Sequence, residues 1–376
     1  MRFLLRIAYR ALWLFMCLFP INKKKIVFQS FSGKGYGDNP KYIAERLLNT
    51  DLKLYWAVND INDDSVPEEI TKIKYKSVKY LYHTATARVW VDNIRKPFAV
   101  KRRGQYYMQT WHGGLSIKQV ERAVEDLLPR SYLKSAVRDA LRVDVMLSDS
   151  EATTESIRKN FWYIEGEIIE KGLPRNDRLI NFNKKQAEAI KNKHRLPSGM
   201  GFILYAPTFR KDLSLNSYDL DCKKCCEAFK KRFGGEWRVL IRLHPNLNSK
   251  SGQMSLDPDY AIDVSRIADI GELYLISDSL ITDYSSAVFD FSLLNRPCFI
   301  YARDIEEYKK ERSLAFDFKE LPFPVCKSNY ELAEEIASFN ADNYRQNLKN
   351  FSLKVGRKES GQASAACAEW ILNKTN

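Results

Sequence analysis

Histidine is scarce in this chain: His83, His112, His194 and His244 are the four in 376 residues. Imidazole chemistry at neutral pH therefore has only four places to occur. Cysteine is sparse and unpatterned. The seven, at 17, 222, 225, 226, 298, 326 and 367, are odd in number and form no disulfide framework, which points to a reducing cytoplasm. Cys222-x-x-Cys225-Cys226 lacks a second ligand pair within reach, so a helix face with part-buried thiols is expected rather than zinc. No apolar run reaches the roughly 20 residues that span a bilayer. There is also no internal repeat, no low-complexity tract, and neither the Walker spacing nor the dinucleotide glycine fingerprint.

What is present describes a folded, basic protein. At 45% hydrophobic and 28% charged residues the composition is globular, and 376 residues suit two domains. The formal charge of +13 implies an acidic partner such as an anionic membrane, a phosphate-rich substrate or nucleic acid. No stripe of Lys and Arg interleaved with aromatics occurs, so nucleic acid ranks last.

Arg2, Arg6 and Arg10 recur at a spacing of four among Phe3, Leu4, Leu5, Ile7, Leu12, Trp13, Leu14 and Phe15. That pattern predicts an amphipathic helix over residues 1–22, lying on the cytoplasmic leaflet with its cations against headgroups. A signal peptide is disfavoured because no small-x-small site precedes Lys23-Lys24-Lys25. The alternatives are a helix packed on the protein's own core, or an anchor in the basic stretch from Arg95 to Arg103.

From Lys25 onward, strand-like apolar runs alternate with helical patterns, the mark of a parallel sheet covered by helices. The loop bearing Gly33, Gly35 and Gly37 reads as flexible and acceptor-facing. A polar helical segment, Asn181 to Ser198, precedes a second alternation running from Phe202 to Tyr301. The expected organisation is α/β, with two facing doubly wound Rossmann-like domains at 23–190 and 191–376, a cleft between them, and a last helix packing back on the first.

Candidate chemistry falls at strand-ending turns. His112 follows Tyr106 to Trp111 and precedes Gly113-Gly114, a turn that lets a ligand approach the backbone, and an imidazole there suits a general base. Arg242 and His244 close another strand and would converge on a diphosphate. Tyr205-Ala206-Pro207-Thr208-Phe209-Arg210 and Gly172-Leu173-Pro174-Arg175-Asn176-Asp177 are two further turns. In Leu280 to Tyr301, Ser285 and Ser286 fall at a helix start whose N–H groups attract phosphate, with Asp290 one turn inside. His83 and His194 read as structural or exposed, and Asp219-Leu220-Asp221 as solvated rather than metal-binding.

Gln109-Thr110-Trp111-His112-Gly113, Gly172-x-Pro174-Arg175-Asn176-Asp177, Tyr205-Ala206-Pro207-Thr208-x-Arg210, Arg242-x-His244-Pro245 and Ile281-Thr282-Asp283-Tyr284-Ser285-Ser286 with Phe289-Asp290 resemble, in order, the motif series of the CDP-glycerol glycerophosphotransferase family. The resemblance implies a GT-B fold, a CDP-glycerol or CDP-ribitol donor held mainly by the second domain, a lipid-linked saccharide acceptor, no cofactor or metal, and peripheral attachment to the inner membrane face. It assigns His112 to the catalytic position, with His244 as a second candidate. Gly113, Gly114, Ser116, Arg175, Pro207, Thr208, Arg210, Arg242, Ser285, Ser286 and Asp290 become donor contacts. The family usually has threonine where Gly114 stands, so that hydroxyl is lost or supplied by Ser116. The short N-terminal region favours a primase or single-transfer capsule enzyme over a polymerase. The rivals are a nucleotide-sugar glycosyltransferase of the same fold and a non-catalytic membrane scaffold.

Overall fold

A computed structural model describes the chain except for residues 1, 97–99, 164, 211–214, 216–217, 245–246, 248–253, 255 and 312, and the side chains of 2–6 and 309–311. The chain divides into two compact units. Met1–Gly114, Val120–Asp177 and Arg357–Asn376 form the first; Leu115–Gln119 and Arg178–Gly356 form the second.

In the first unit, β1 (Asn22–Gln29), β2 (Lys53–Val58), β3 (Thr71–Lys74), β4 (Ala87–Asp92), β5 (Tyr106–Gln109), β6 (Val145–Leu147) and β7 (Glu167–Ile169) build a parallel sheet ordered β3-β2-β1-β4-β5-β6-β7. Alternation along each strand sorts side chains to two faces. Ile26, Phe28, Trp56, Val89, Val91 and Met108 meet Ile43 and Ala44 of helix α2 (Asp38–Arg46), together with Cys367, Trp370 and Ile371 of the C-terminal helix Ala363–Thr375. Val27, Ala57, Trp90, Tyr107 and Met146 meet Trp13 and Met16 of helix α1 (Arg2–Met16) and Tyr80, Leu81 and Ala85 of helix α3 (Val78–Thr86). Both faces being covered explains why the strands read as nearly continuous apolar runs.

The second unit repeats the plan with β8 (Gly201–Tyr205), β9 (Trp237–Ile241), β10 (Ala261–Asp263), β11 (Ser279–Thr282), β12 (Cys298–Tyr301) and β13 (Val325–Cys326), ordered β10-β9-β8-β11-β12-β13 and all parallel. In each sheet the order reverses beside the first strand, between β1 and β4 and between β8 and β11. Open α/β sheets bind ligands beyond the strand ends at such a switch point.

Several expectations change or gain detail. The division expected at 190/191 falls at Asp177/Arg178. The helix Lys184–Lys193 buries Ala187 and Ile190, and His194 Nε2 lies 2.7 Å from Glu272 Oε2 on the helix Ile270–Ile276, so the polar-looking segment is a covering helix of the second unit. The N-terminal helix does not stand apart over 1–22. It ends at Met16, and Trp13, 2% exposed, meets Trp90 edge-on at 6.0 Å. Nor is Arg95 an exposed anchor residue, since its guanidinium is buried between Glu121 and Asp139. Residues 97–99 of that stretch lie outside the described residues.

Candidate active site

His112 sits just past β5, beside the first unit's switch point. Trp111 before it has φ +52, a left-handed conformation that costs about 1–3 kcal/mol in a bulky residue and must be held by its surroundings. Its amide donates to Gln109 Oε1 at 2.9 Å, and its carbonyl accepts from Asn39 Nδ2 at 3.2 Å. The imidazole packs on Trp111, centroids 4.5 Å apart, with Phe31 edge-on at 5.8 Å. His112 Nδ1 is 2.9 Å from the carbonyl oxygen of Asn93. A carbonyl only accepts, so Nδ1 carries the proton and Nε2 presents its lone pair. In the neutral ring this is the tautomer that a general base would need.

Gly114 is a glycine for a steric reason. A Cβ there would overlap the Asp149 carboxylate, whose Oδ1 accepts from Ser150 Oγ at 3.1 Å and Thr153 Oγ1 at 2.6 Å. The departure from the family's threonine is thus matched by a buried acid at the end of β6. Around Gly113 a Cβ would meet nothing within 4 Å. Ser116 belongs to the second unit, where its hydroxyl accepts from the Lys118 amide at 3.1 Å.

Arg175, expected among the donor contacts of the second domain, lies in the first unit and pairs with Asp38, Nη1 to Oδ1 at 2.9 Å. The rest of its motif builds structure. Asn176 Nδ2 donates to Glu359 Oε1 at 2.7 Å, and Asp177 accepts from the amides of Ala363 and Ser364 at 2.9 and 2.7 Å, capping the C-terminal helix from a distance.

In the second unit the turns after β8, β9 and β11 lie side by side. Asp283, buried at the end of β11, accepts from the Thr208 amide at 2.8 Å, Thr208 Oγ1 at 3.0 Å and Arg210 Nη1 at 2.9 Å. Arg210 Nε reaches Asp304 Oδ2 at 2.7 Å, and Tyr284 donates its hydroxyl to Asp304 Oδ1 at 2.8 Å. Burial pushes the Asp283 carboxyl up against Arg210's pull. At Asp304 burial also pushes up, but hydrogen bonds from Arg210 and Tyr284 hold it below the ordinary carboxylate value. With its guanidinium divided between two carboxylates, Arg210, expected at the diphosphate, also braces the Pro207-Thr208 turn.

Tyr218 links the neighbouring turns, donating to the Pro207 carbonyl at 3.2 Å and accepting from the His244 amide at 2.9 Å. The His244 ring lies 4.3 Å from Phe209. Pro245, which the sequence makes part of this motif, is outside the described residues. Arg242 Nη2 donates to the Ala268 carbonyl at 3.2 Å, while its buried Nε has no hydrogen-bond partner among the described residues. Burial lowers this guanidinium's pKa, against the pull of Tyr274 and Asp269. Ser285 Oγ accepts from the Ala287 amide at 3.2 Å, and Ser286 takes the N-cap position of Ala287–Phe291 with no side-chain cap bond, so one of the two hydroxyls expected to cap the helix does so. Asp290 is buried within that helix.

Asp219 pairs with Arg303, and Asp221, exposed as expected, accepts from the Lys224 amide at 2.9 Å as N-cap of Cys222–Phe233. Among the described residues no cluster of three His, Cys, Asp or Glu could hold a metal. Asn39, Asn93, Asp304 and Tyr218 organise the site but were not singled out in the sequence, and Asp283 appeared there only within its motif, with no role. The available signal was a polar residue directly after an apolar strand, as in Val-Asp-Asn93 and Ile-Thr-Asp283.

Comparisons with known proteins bear on this geometry. The teichoic acid poly(glycerol phosphate) polymerase of Staphylococcus epidermidis is 35% identical over 367 residues, 93% of this chain and 51% of that protein. The chain thus spans about half the length of that relative. The polymerase of the same description from Bacillus spizizenii is 33% identical over 390 residues, 99% of this chain and 98% of that one, so a short chain is no argument against a polymerase. A structure of the wall teichoic acid polymerase TagF, a histidine-to-asparagine variant with CDPG, superposes with a TM-score of 0.87 at 31% identity, covering 98% of this chain and 94% of that one. The profile described as CDP-Glycerol:Poly(glycerophosphate) glycerophosphotransferase matches residues 11–373. With motif turns at the switch points of both sheets and a profile spanning nearly the whole sequence, the chain belongs to the CDP-glycerol:poly(glycerophosphate) glycerophosphotransferase family.

Proposed function

We propose that this protein transfers glycerol phosphate from CDP-glycerol to a hydroxyl of a lipid-linked saccharide in teichoic acid or capsule synthesis, releasing CMP. The observation that carries the reading is the 2.9 Å contact of His112 Nδ1 with the Asn93 carbonyl, which in the neutral ring puts the proton on Nδ1 and leaves Nε2 to accept one. Nε2 takes the proton of the acceptor hydroxyl, and the oxygen attacks the β-phosphorus. A new phosphorus–oxygen bond forms as the bond to the α-phosphate oxygen breaks, and CMP leaves with the electron pair. Charge on the diphosphate is met by Arg242, by His244 and by the backbone amides of the Ser285-Ser286 turn, with Thr208 held in place through Asp283. The relatives named above carry glycerol phosphate, which favours it over ribitol phosphate. In this reading the positive charge at the diphosphate comes from Arg242, His244 and backbone amides, and the expected outcome is an unchanged rate in EDTA.

CMP release from CDP-glycerol, CDP-ribitol and UDP-sugars, with wild type and His112→Ala, tests this. CDP-glycerol turnover falling by about 10²- to 10⁴-fold in the variant agrees with a general base. Wild-type CMP release by His112→Ala overturns the base, and transfer from UDP-sugars alone overturns the donor.

The membrane surface is the proposed site of action. On α1 and just beyond it Ile7, Leu14, Phe15, Leu18 and Phe19 are 39–78% exposed, close in sequence to Arg10, Lys23 and Lys24. An apolar face bordered by cations suits an anionic leaflet. Among the described residues no helix is long and apolar enough to cross a membrane.

A further inference from the structure

The first unit's switch point holds an asparagine outside the motif series read from the sequence. Asn93, fully buried, directly follows β4. Its side chain is bonded in three directions: Oδ1 accepts from the Phe31 amide at 2.8 Å, and Nδ2 donates to Ser30 Oγ at 3.2 Å and to Asp38 Oδ2 at 2.6 Å. Its backbone carbonyl receives His112 Nδ1 at 2.9 Å. Asp38 in turn holds Arg175 through Oδ1. The next residue, Asn39, accepts from the Arg175 amide at 3.2 Å and donates to the carbonyls of Thr110 and Trp111 at 3.4 and 3.2 Å. The ring is therefore held at its Nδ1 through Asn93, the backbone just before it is held through Asn39, and both supports end on Arg175.

We propose that Asn93 is a positioning residue for His112, its carbonyl keeping the proton on Nδ1 while its side chain, locked by Ser30, Phe31 and Asp38, keeps that carbonyl in place. The inference rests on the reading of His112 as base and adds what enforces the basic nitrogen. A backbone carbonyl can serve only if the loop carrying it cannot swing, because an imidazole whose Nδ1 loses its acceptor is free to place the proton on Nε2 and to rotate. The Asn93 side chain, with both Nδ2 protons and Oδ1 engaged, supplies that rigidity. Arg175 acts at one remove: its guanidinium pairs with the Asp38 carboxylate, and its backbone amide donates to Asn39 Oδ1.

Substitutions that rearrange these bonds without shrinking the site test the assignment. In Asn93→Asp, two carboxylates face each other where an amide faced Asp38. In N93D/D38N the donor and acceptor exchange places and the contact re-forms; Asp38 has φ +58, a conformation asparagine adopts readily. With full-length protein labelled at the histidine ring nitrogens, wild-type His112 shows Nδ1 protonated and Nε2 unprotonated. N93D shows a mixed or reversed pattern and a kcat lowered by about 10- to 100-fold, less than loss of the base itself, with KM for CDP-glycerol within about twofold. N93D/D38N regains the wild-type pattern and kcat to within about threefold. Should N93D not fold, D38N alone, which loosens Asn93 from the far side, shows the same change of pattern at smaller amplitude. A wild-type nitrogen pattern in N93D, or in D38N where that is the variant measured, overturns the proposal. So does a wild-type kcat in N93D. If His112→Gln turns over at the wild-type rate, the base reading falls instead, while the nitrogen pattern still decides the role of Asn93.

Discussion

Lys96 Nζ lies 3.1 Å from Asp92 Oδ2, and both side chains are buried, at 2% and 0% exposure. The pair is embedded in a polar network: Gln29 Nε2 donates to Asp92 Oδ2 at 2.8 Å, and Tyr80 joins Lys96 Nζ at 3.1 Å to Gln29 Oε1 at 2.8 Å. Burial still pushes the Asp92 carboxyl up to about 6, although Lys96 pulls the other way. Asp92 precedes Asn93, so the base of the loop that meets His112 rests on an ion pair in a dry interior. Lys96→Met leaves the carboxylate unpaired and costs about 3–5 kcal/mol at pH 8 by chemical denaturation. Asp92 then titrates higher still, and a group whose folded pKa is raised regains stability as pH falls, so the deficit shrinks at pH 5. D92N/K96M recovers most of the loss.

His83 carries a pH dependence of opposite sign. Its ring stacks on Tyr55 at 4.1 Å, and burial, with Lys25 and Lys79 nearby, lowers its pKa to about 4. Below pH 6.5 the unfolded chain takes up a proton that the folded ring refuses, so stability falls as pH drops from 6.5 towards 4. The half-buried position limits the effect to at most ~3 kcal/mol. Thermal melts of wild type and His83→Gln across that window check it: the variant lacks this part of the slope.

Docking of α1 separates two roles within one helix. Trp13→Ala removes a core side chain and lowers global stability by about 3–5 kcal/mol. L14E/L18E alters the exposed face and leaves the melting temperature within a few degrees, while cosedimentation with anionic vesicles falls at least about tenfold. Retained vesicle binding by L14E/L18E moves the contact elsewhere on the surface.

Arg210 divides one guanidinium between Asp283 and Asp304. Lysine keeps the charge but has no fork to span both carboxylates. Arg210→Lys therefore loosens the Thr208 turn and raises KM for CDP-glycerol about tenfold, with kcat changed less than about threefold. A large fall in kcat at unchanged KM shows instead that Arg210 meets the reacting phosphate.

The sheets were legible because buried parallel strands such as Ile26-Val27-Phe28 and Phe202-Ile203-Leu204 are continuous apolar runs, whereas the edge strands β3, β7, β10 and β13 are too short to stand out. Lys184–Lys193 was legible as a polar helix, but its packing role was not, because its buried face amounts to Ala187 and Ile190 between charged residues. Candidate site residues announced themselves by type, as a histidine before two glycines or an arginine at a strand's end. Their partners did not, since Asp38, Asn93 and Arg175 meet only when three distant segments fold together.

By itself the sequence determined the class of chemistry: one well-placed imidazole, a series of hydroxyl- and arginine-bearing turns, and a basic chain suited to a phosphate-rich substrate. These follow from residue type and local spacing, which survive without coordinates. Tertiary structure alone decided which nitrogen of His112 is basic, which arginines are committed to carboxylates, and that α1 is part of a core. A hydrogen bond's direction and an ion pair's partner depend on groups far apart in the chain, and no local pattern encodes them.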